Sequence, residues 1–426
     1  MTKIIHYLKT HILDITLIVF VTYLLRLFLV DKNFYIQQQR LFTWLIILLI
    51  ASLWLKRDAI KVSFEWLVVI GLILLIMFLS VNSSDRYLNS SIKTTLDLSI
   101  LASCFLIYTN FEDQIARNAK WIMSGMLLIF IVVIAFTTMR EMYITIDEDS
   151  SILKVKSWGY YYFSHVRHFS YQTFIASAIS FILLMTNQKK HVVVRSIFAL
   201  SFFCSLMCML LAAGRASILA LLVFVFVNAF LQTWKISEAI KSSFILFGLI
   251  CACYFVLFFT PFDHSVKIVF SHFFNASEVA SEGVSSSLNT FTSGRLEIWQ
   301  GSLKFALESP IFGHGSSSYS WSPLPDAGKL AHSHNVIIQL ILEYGYLGAS
   351  IILYAAYKLF KPLMYFPKMI DDNERLRRMV LSFIVSFSVY SLFTGLFFHT
   401  LPIFQFSLMA IVLFALDKVK QVECGK

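Results

Sequence analysis

The chain has 426 residues, of which 58% are hydrophobic and 14% charged, with 42 Phe and a formal charge of +10. So little charge cannot cover a soluble domain of this size, so a soluble globular fold is excluded and an all-α polytopic membrane protein is expected. The positive balance fits connections lying against anionic membrane lipids, and no basic run is interleaved with aromatics as a nucleic-acid site requires.

Lys3 and Lys9 precede an apolar run over 12–30. It is longer than a signal-peptide core and is followed by no small-residue cleavage site, so it reads as a first span. A span needs about 20 mostly apolar residues. Further runs follow near 41–55, 63–80, 94–109, 120–138, 169–186, 193–212, 216–233, 243–260, 335–357, 379–395 and 402–417, with 41–55 and 379–395 marginal in length. About twelve transmembrane helices are therefore expected. Lys and Arg gather in alternate connections, among them Lys56, Arg57 and Lys61, then Lys189, Lys190 and Arg195, then the segment from Lys358 to Arg378. That asymmetry places those connections and both termini in the cytoplasm.

Two long connections then face outward, 139–168 and 261–334. The second holds Ser-, Gly- and Pro-rich stretches and a helical pattern over 293–308, and loops of such length are usually functional or disordered. The expected organisation is helices 1–9 over 1–260, a large outer loop over 261–334, and helices 10–12 with a tail over 335–426. Of six cysteines, five fall in apolar runs and Cys424 in the tail. With no C-x-x-C and no Cys/His cluster, neither a disulfide framework nor a zinc site is suggested.

Arg215, in L-A-A-G-R-A-S-I-L-A, sits between two apolar runs at the N-terminal end of the second. That end of a helix disfavours a cation. A bound anion, held also by the free helix N–H groups, resolves the conflict; an Arg reaching to lipid headgroups is the alternative. Charges within a membrane are costly and usually partnered, which favours function. Arg295, in S-G-R-L-E-I-W-Q, again heads a helical pattern, with a salt bridge to Glu297 or another acid as the other reading. His334, in A-H-S-H-N-V-I-I-Q-L, stands where the large loop returns to the membrane. A neutral imidazole there can take a proton from a polar acceptor near pH 7. Asn335 is placed to orient it and His332 is the second imidazole; a histidine beside a helix cap, without chemistry, is the competing account. Arg167, with His165 and His168, suits a phosphate, an acidic sugar or interfacial anchoring beside Tyr160, Tyr161 and Tyr162. Asp147, Glu148 and Asp149 read as a solvated turn rather than a cation site, and no catalytic metal or cofactor is expected.

Together, S-G-R-L-E-I-W, S-P-I-F-G-H-G and H-S-H-N-V-I-I-Q-L-I-L-E-Y-G-Y-L-G resemble the signature region of the O-antigen ligase/polymerase family of bacterial membrane proteins. In that family G-R is followed by P-x-x-G-x-G, then by H-x-H-N ahead of an apolar span with G-x-x-G. G-R-A-S at Arg215 is similar to the family's other arginine motif, and the motif-bearing resemblance runs over 210–350. It implies a GT-C-like helical fold in the bacterial inner membrane. It also implies metal-independent transfer of a glycan from an undecaprenyl pyrophosphate donor at the periplasmic face. Arg215 and Arg295 would hold the pyrophosphate and His334 would act as base, with Arg167, His332 and Asn335 lining the substrate. A ligase would use lipid A–core as acceptor; a polymerase would use the next lipid-linked repeat. Two arginines match one pyrophosphate, which favours the ligase. A twelve-span transporter or flippase is a different class, and its midplane charges and repeated halves are not the pattern here.

Overall fold

Inside a bilayer no water satisfies the backbone, so a spanning segment must bond its own N–H and C=O groups, as a helix does. The computed structural model describes residues 64–147, 166–187, 192–211, 215–259, 295–324, 332–366 and 371–423, and among these the chain is helical with no strand. The expected spans 12–30 and 41–55, residues 148–165 with His165, and residues 260–294 and 325–331 of the large loop lie outside the described residues.

The helices in chain order are α1 (Phe64–Asn82), α2 (Tyr87–Asp147), α3 (Val166–Thr186), α4 (Val192–Leu211), α5 (Arg215–Thr233), α6 (Ile236–Phe258), α7 (Arg295–Ala306), α8 (Val336–Phe360), α9 (Asp372–Ser391) and α10 (Thr400–Glu423). Six described segments are long and apolar enough to cross a membrane: Phe169–Thr186, Val192–Leu210, Arg215–Thr233, Ile236–Val256, Val336–Met364 and Pro402–Val419. Val68–Asn82 is a shorter apolar helix. The expected spans 94–109 and 120–138 belong to one 61-residue helix, α2, broken at Phe111 (φ −133°, ψ 16°). The stretch between them, N-F-E-D-Q-I-A-R-N-A-K, has no Gly or Pro, so a single residue leaves helical geometry instead of a loop.

α9 is the hub, packed against α3, α5 and α10, while α2 packs on α10 and α3, and α4 and α6 lie further out. In the span on α3, 78% of residues are buried, against 22% in the spans on α4 and α6. The outer helices therefore carry bare apolar side chains such as Leu200, Phe244 and Phe255, as a lipid-facing surface requires. The inner ones can hold polar groups. Serines on α9 bond back to their own helix, Ser382 to Arg378 O at 2.7 Å and Ser386 to Phe383 O at 2.9 Å. α8 stands with α1 and α7, joined through two small clusters, Ile76–Met77–Tyr344 and Phe305–Ala306–Tyr319–Leu342.

One end of the bundle is locked by buried charge. Arg377 meets Glu374 at 2.8 Å, Asp417 at 3.1 Å, and the carbonyls of Leu363 (2.9 Å) and Tyr365 (2.8 Å). Arg378 meets Glu374 at 2.7 Å and Leu231 O at 2.5 Å. Each guanidinium is thus satisfied, the condition under which a buried ion pair is tolerated. A cavity of ≈ 250 Å³ opens there between Arg117, Asn373, Arg377 and Val419, at the end away from the histidines described below.

Candidate functional site

The other end collects the starts of α3, α5, α7 and α8 and the end of α9. α8 contains its own break. Gly345 (φ 69°, ψ 177°) leaves the helix, and the freed groups pair with the loop 310–315. His314 N donates to Leu342 O (2.9 Å), Gly315 N to Glu343 O (3.0 Å), and Tyr346 N to Pro310 O (2.8 Å). From the loop side, a Cβ on Gly313 would lie 2.5 Å from the Glu343 carbonyl; from the helix side, one on Gly345 would lie 2.2 Å from Ile311 O. Gly313 of P-x-x-G-x-G and Gly345 of G-x-x-G thus let two backbones touch; they fix the loop against α8.

The segment His332–Asn335 enters α8. Asn335 is its N-cap: Oδ1 accepts from Ile337 N (2.9 Å) and Ile338 N (3.1 Å), which satisfies two of the helix's unpaired donors. His334 takes a left-handed conformation (φ 59°), which is uncommon outside Gly and tends to persist where surroundings hold it. Four bonds hold it. His334 N donates to His332 Nδ1 (3.2 Å), Ser333 N to Gln339 Oε1 (2.9 Å), Ser333 Oγ to Asn335 O (3.0 Å), and Trp299 Nε1 on α7 to Ser333 O (3.0 Å). Because His332 Nδ1 accepts, its proton sits on Nε2. His334 is 4% exposed and His332 6%. The two rings meet edge to face at 4.2 Å, and His332 lies 5.3 Å from His399 and 5.2 Å from Phe398.

Arg295 is the first residue of α7, so the Trp299 bond one turn later ties its helix to the histidine turn. Arg295 acts electrostatically on Tyr390 at the end of α9, whose hydroxyl is near Ser170 and Ser217. Those two serines bond each other at 2.8 Å. Ser217 stands two residues beyond Arg215, the half-buried first residue of α5. Both arginines therefore belong to the end that carries the histidines, joined through Tyr390 and Ser217. Arg167 occupies the first turn of α3, one turn before Ser170.

Several neighbours of this site are not evident from the arginine and histidine motifs. Lys93, paired with Asp97 at 2.5 Å, lies 5.3 Å over the Phe398 ring. His399 and Gly395 enclose His332. Glu343 is buried within α8, and an acid inside an apolar span is itself a sequence signal. Trp299 and Gly395 carry no such signal, since only the tertiary packing of α7 and α9 gives them a role.

The described fold is that of an integral membrane protein, an apolar helical bundle with the histidine turn at one end and the buried Arg377 and Arg378 ion pairs at the other. Residues 200–353 match the O-antigen ligase family model, a stretch that runs from α4 through Arg215, Arg295 and His334 to the middle of α8, so this part of the chain is similar to that family. No curated protein and no solved structure matches the chain.

Proposed function

We propose that this protein is an O-antigen ligase, which moves a glycan from undecaprenyl pyrophosphate to lipid A–core at the periplasmic face of the bacterial inner membrane. The observation that supports this most is the buried, left-handed His334, tied by one bond to the helix headed by Arg295, within the stretch that matches the family. In this reading the acceptor hydroxyl oxygen attacks the anomeric carbon of the donor glycan. The bond from that carbon to the pyrophosphate oxygen breaks, and undecaprenyl pyrophosphate leaves with the electron pair. His334 takes the hydroxyl proton. Arg215 and Arg295 counter the charge that grows on the leaving group, and their planar forks can bind phosphate bidentately where an ammonium cannot. Arg167 adds positive charge at the same end, and His332 and Asn335 frame the base. The chemistry needs no metal, because the guanidinium groups supply the counter-charge.

The ligase is preferred over a polymerase because a polymerase handles two carrier-linked sugars at once, and Arg215 with Arg295 suits one pyrophosphate. Deleting the gene and separating the lipopolysaccharide by gel tests this. A ligase mutant makes lipid A–core without O-chain while long chains remain on the carrier; a core capped by one repeat unit identifies a polymerase. In purified protein, His334→Ala should lower the transfer rate by about two to four orders of magnitude, the usual contribution of a general base, with donor binding retained. A rate within about threefold of wild type would remove His334 from the chemistry.

A further inference from the structure

A carboxyl group buried in an apolar helix has a cost that hydrogen bonds must offset, so what it bonds is informative. Glu343 Oε1 accepts two: from Ser317 N at 2.8 Å and from Gln339 Nε2 at 2.5 Å. Gln339 lies one turn earlier on α8 and faces both ways. Its Nε2 donates to Glu343, which fixes the amide orientation, so its Oε1 must be the atom presented to Ser333 N, at 2.9 Å. Ser333 N belongs to the residue immediately before the left-handed His334. The same carboxyl oxygen thus holds the loop at Ser317, itself left-handed (φ 64°), and the turn that carries the imidazole.

We propose that Glu343 is a positioning residue for His334, acting through the Gln339 side chain and the Ser333 peptide. This rests on the reading of His334 as the base. The chain of bonds explains why an acid stands at this place. Its oxygen accepts from Gln339 and so leaves only the Gln339 oxygen to receive the Ser333 N–H. A side chain that donated here would turn the amide round and set a donor against that N–H. The His332–Ser333 peptide, next to the left-handed residue, would then lose its anchor and the imidazole its aim. A displacement of about 1 Å at a reacting group is worth roughly a hundredfold in rate.

The test uses the purified full chain with an undecaprenyl pyrophosphate-linked glycan and lipid A–core, read as kcat and donor KM. Gln339→Ala removes the relay without adding charge. It should lower kcat by about ten- to a hundredfold, with donor KM within about twofold, because the arginines are untouched. Gln339→Glu sets two carboxyls against each other and should do at least as much. Adding Glu343→Gln to it relieves that repulsion and restores the bonds that hold Ser333 N, with the 339–343 bond reversed. The carboxylate, now at position 339, accepts from both Ser333 N and the amide nitrogen at position 343, while Ser317 N, which shared one oxygen of Glu343 with Gln339, has to turn to the other atom of that amide. This double variant should return to within about threefold of wild type. Wild-type kcat in Gln339→Ala, a donor KM that rises in step with the loss, or a double variant that unfolds at the wild-type temperature yet stays inactive would each overturn the proposal. Where the double variant does not fold, Gln339→Ala decides alone. If His334→Ala is itself harmless, the reading of the base fails and this inference with it. If His334→Ala is inactive while Gln339→Ala is normal, only the relay is wrong.

Discussion

Gly395 offers the sharpest test of how the histidine turn is held. It lies between α9 and the 3-10 turn Leu396–Phe398 with φ −86° and ψ 36°, a backbone that other residues can adopt, so the constraint is space. A Cβ built there would lie 2.0 Å from His332 Cε1, 2.2 Å from Nδ1 and 2.3 Å from Nε2. An ordinary carbon contact is near about 3.5 Å, so Gly395→Ala must push the ring by roughly 1.5 Å. The ring has little room to retreat, with His334, His399 and Phe398 around it. It also accepts the His334 N–H through Nδ1 at 3.2 Å, and a shift of that size breaks the bond. Overpacking costs about 1–3 kcal/mol and the lost hydrogen bond about 1 kcal/mol more. A fall of about a hundredfold in transfer is expected if the imidazole of His334 moves by about 1 Å. Transfer by purified protein, with thermal unfolding beside it, measures both. The control is the His332→Ala background, where the ring is gone and the new methyl has a place to sit; there Gly395→Ala should add little. Wild-type transfer in Gly395→Ala, or an equal loss with and without the His332 ring, would refute the argument.

Asn335→Ala removes the side-chain acceptor for Ile337 N and Ile338 N and should cost about 1 kcal/mol of stability, seen as a lower unfolding temperature; Asn335→Asp should keep the cap. Gly345→Ala forces a side chain into a backbone region open almost only to glycine and against Ile311 O at 2.2 Å, so folded protein recovered after detergent extraction should fall sharply. Arg377→Met strips a buried partner from Glu374, Asp417 and two carbonyls, and should destabilise by about 3–5 kcal/mol, while the donor KM of the surviving protein stays unchanged because the change is at the opposite end.

Hydropathy gave the helices because lipid contact demands apolar side chains, and it is least informative where lipid contact is absent. α9 shows this. Its expected span, 379–395, is marginal in length and broken by serines, yet Leu376 to Phe387 is almost continuously buried because neighbouring helices, and not lipid, surround it. A helix encased in protein needs no continuous apolar surface and can begin with Glu374, Arg377 and Arg378 buried. The break at Phe111 left no trace of Gly or Pro to read.

The site divides along the same line. Arg215 and His334 could be picked out because charge or imidazole at the start of an apolar helix conflicts with its surroundings and invites a reason, and Arg295 because it follows Gly294 at the head of a helical pattern in the large loop. Asn335 was legible as a neighbour of His334, but its oxygen caps α8. Trp299, Gly395 and Gln339 are ordinary residues in ordinary local sequence, and their importance is a property of what tertiary packing sets beside them. The histidine turn therefore draws on two kinds of information. The side chain proposed to react is marked by its own chemistry. The backbone that aims it is held from α7 by Trp299, from the end of α9 by Gly395 against His332, and from within α8 by Gln339 and Glu343. A left-handed histidine is kept in place only when several independent elements hold it, so substitutions on α7, on α8 and in the connection after α9 are expected to converge on the same loss of rate.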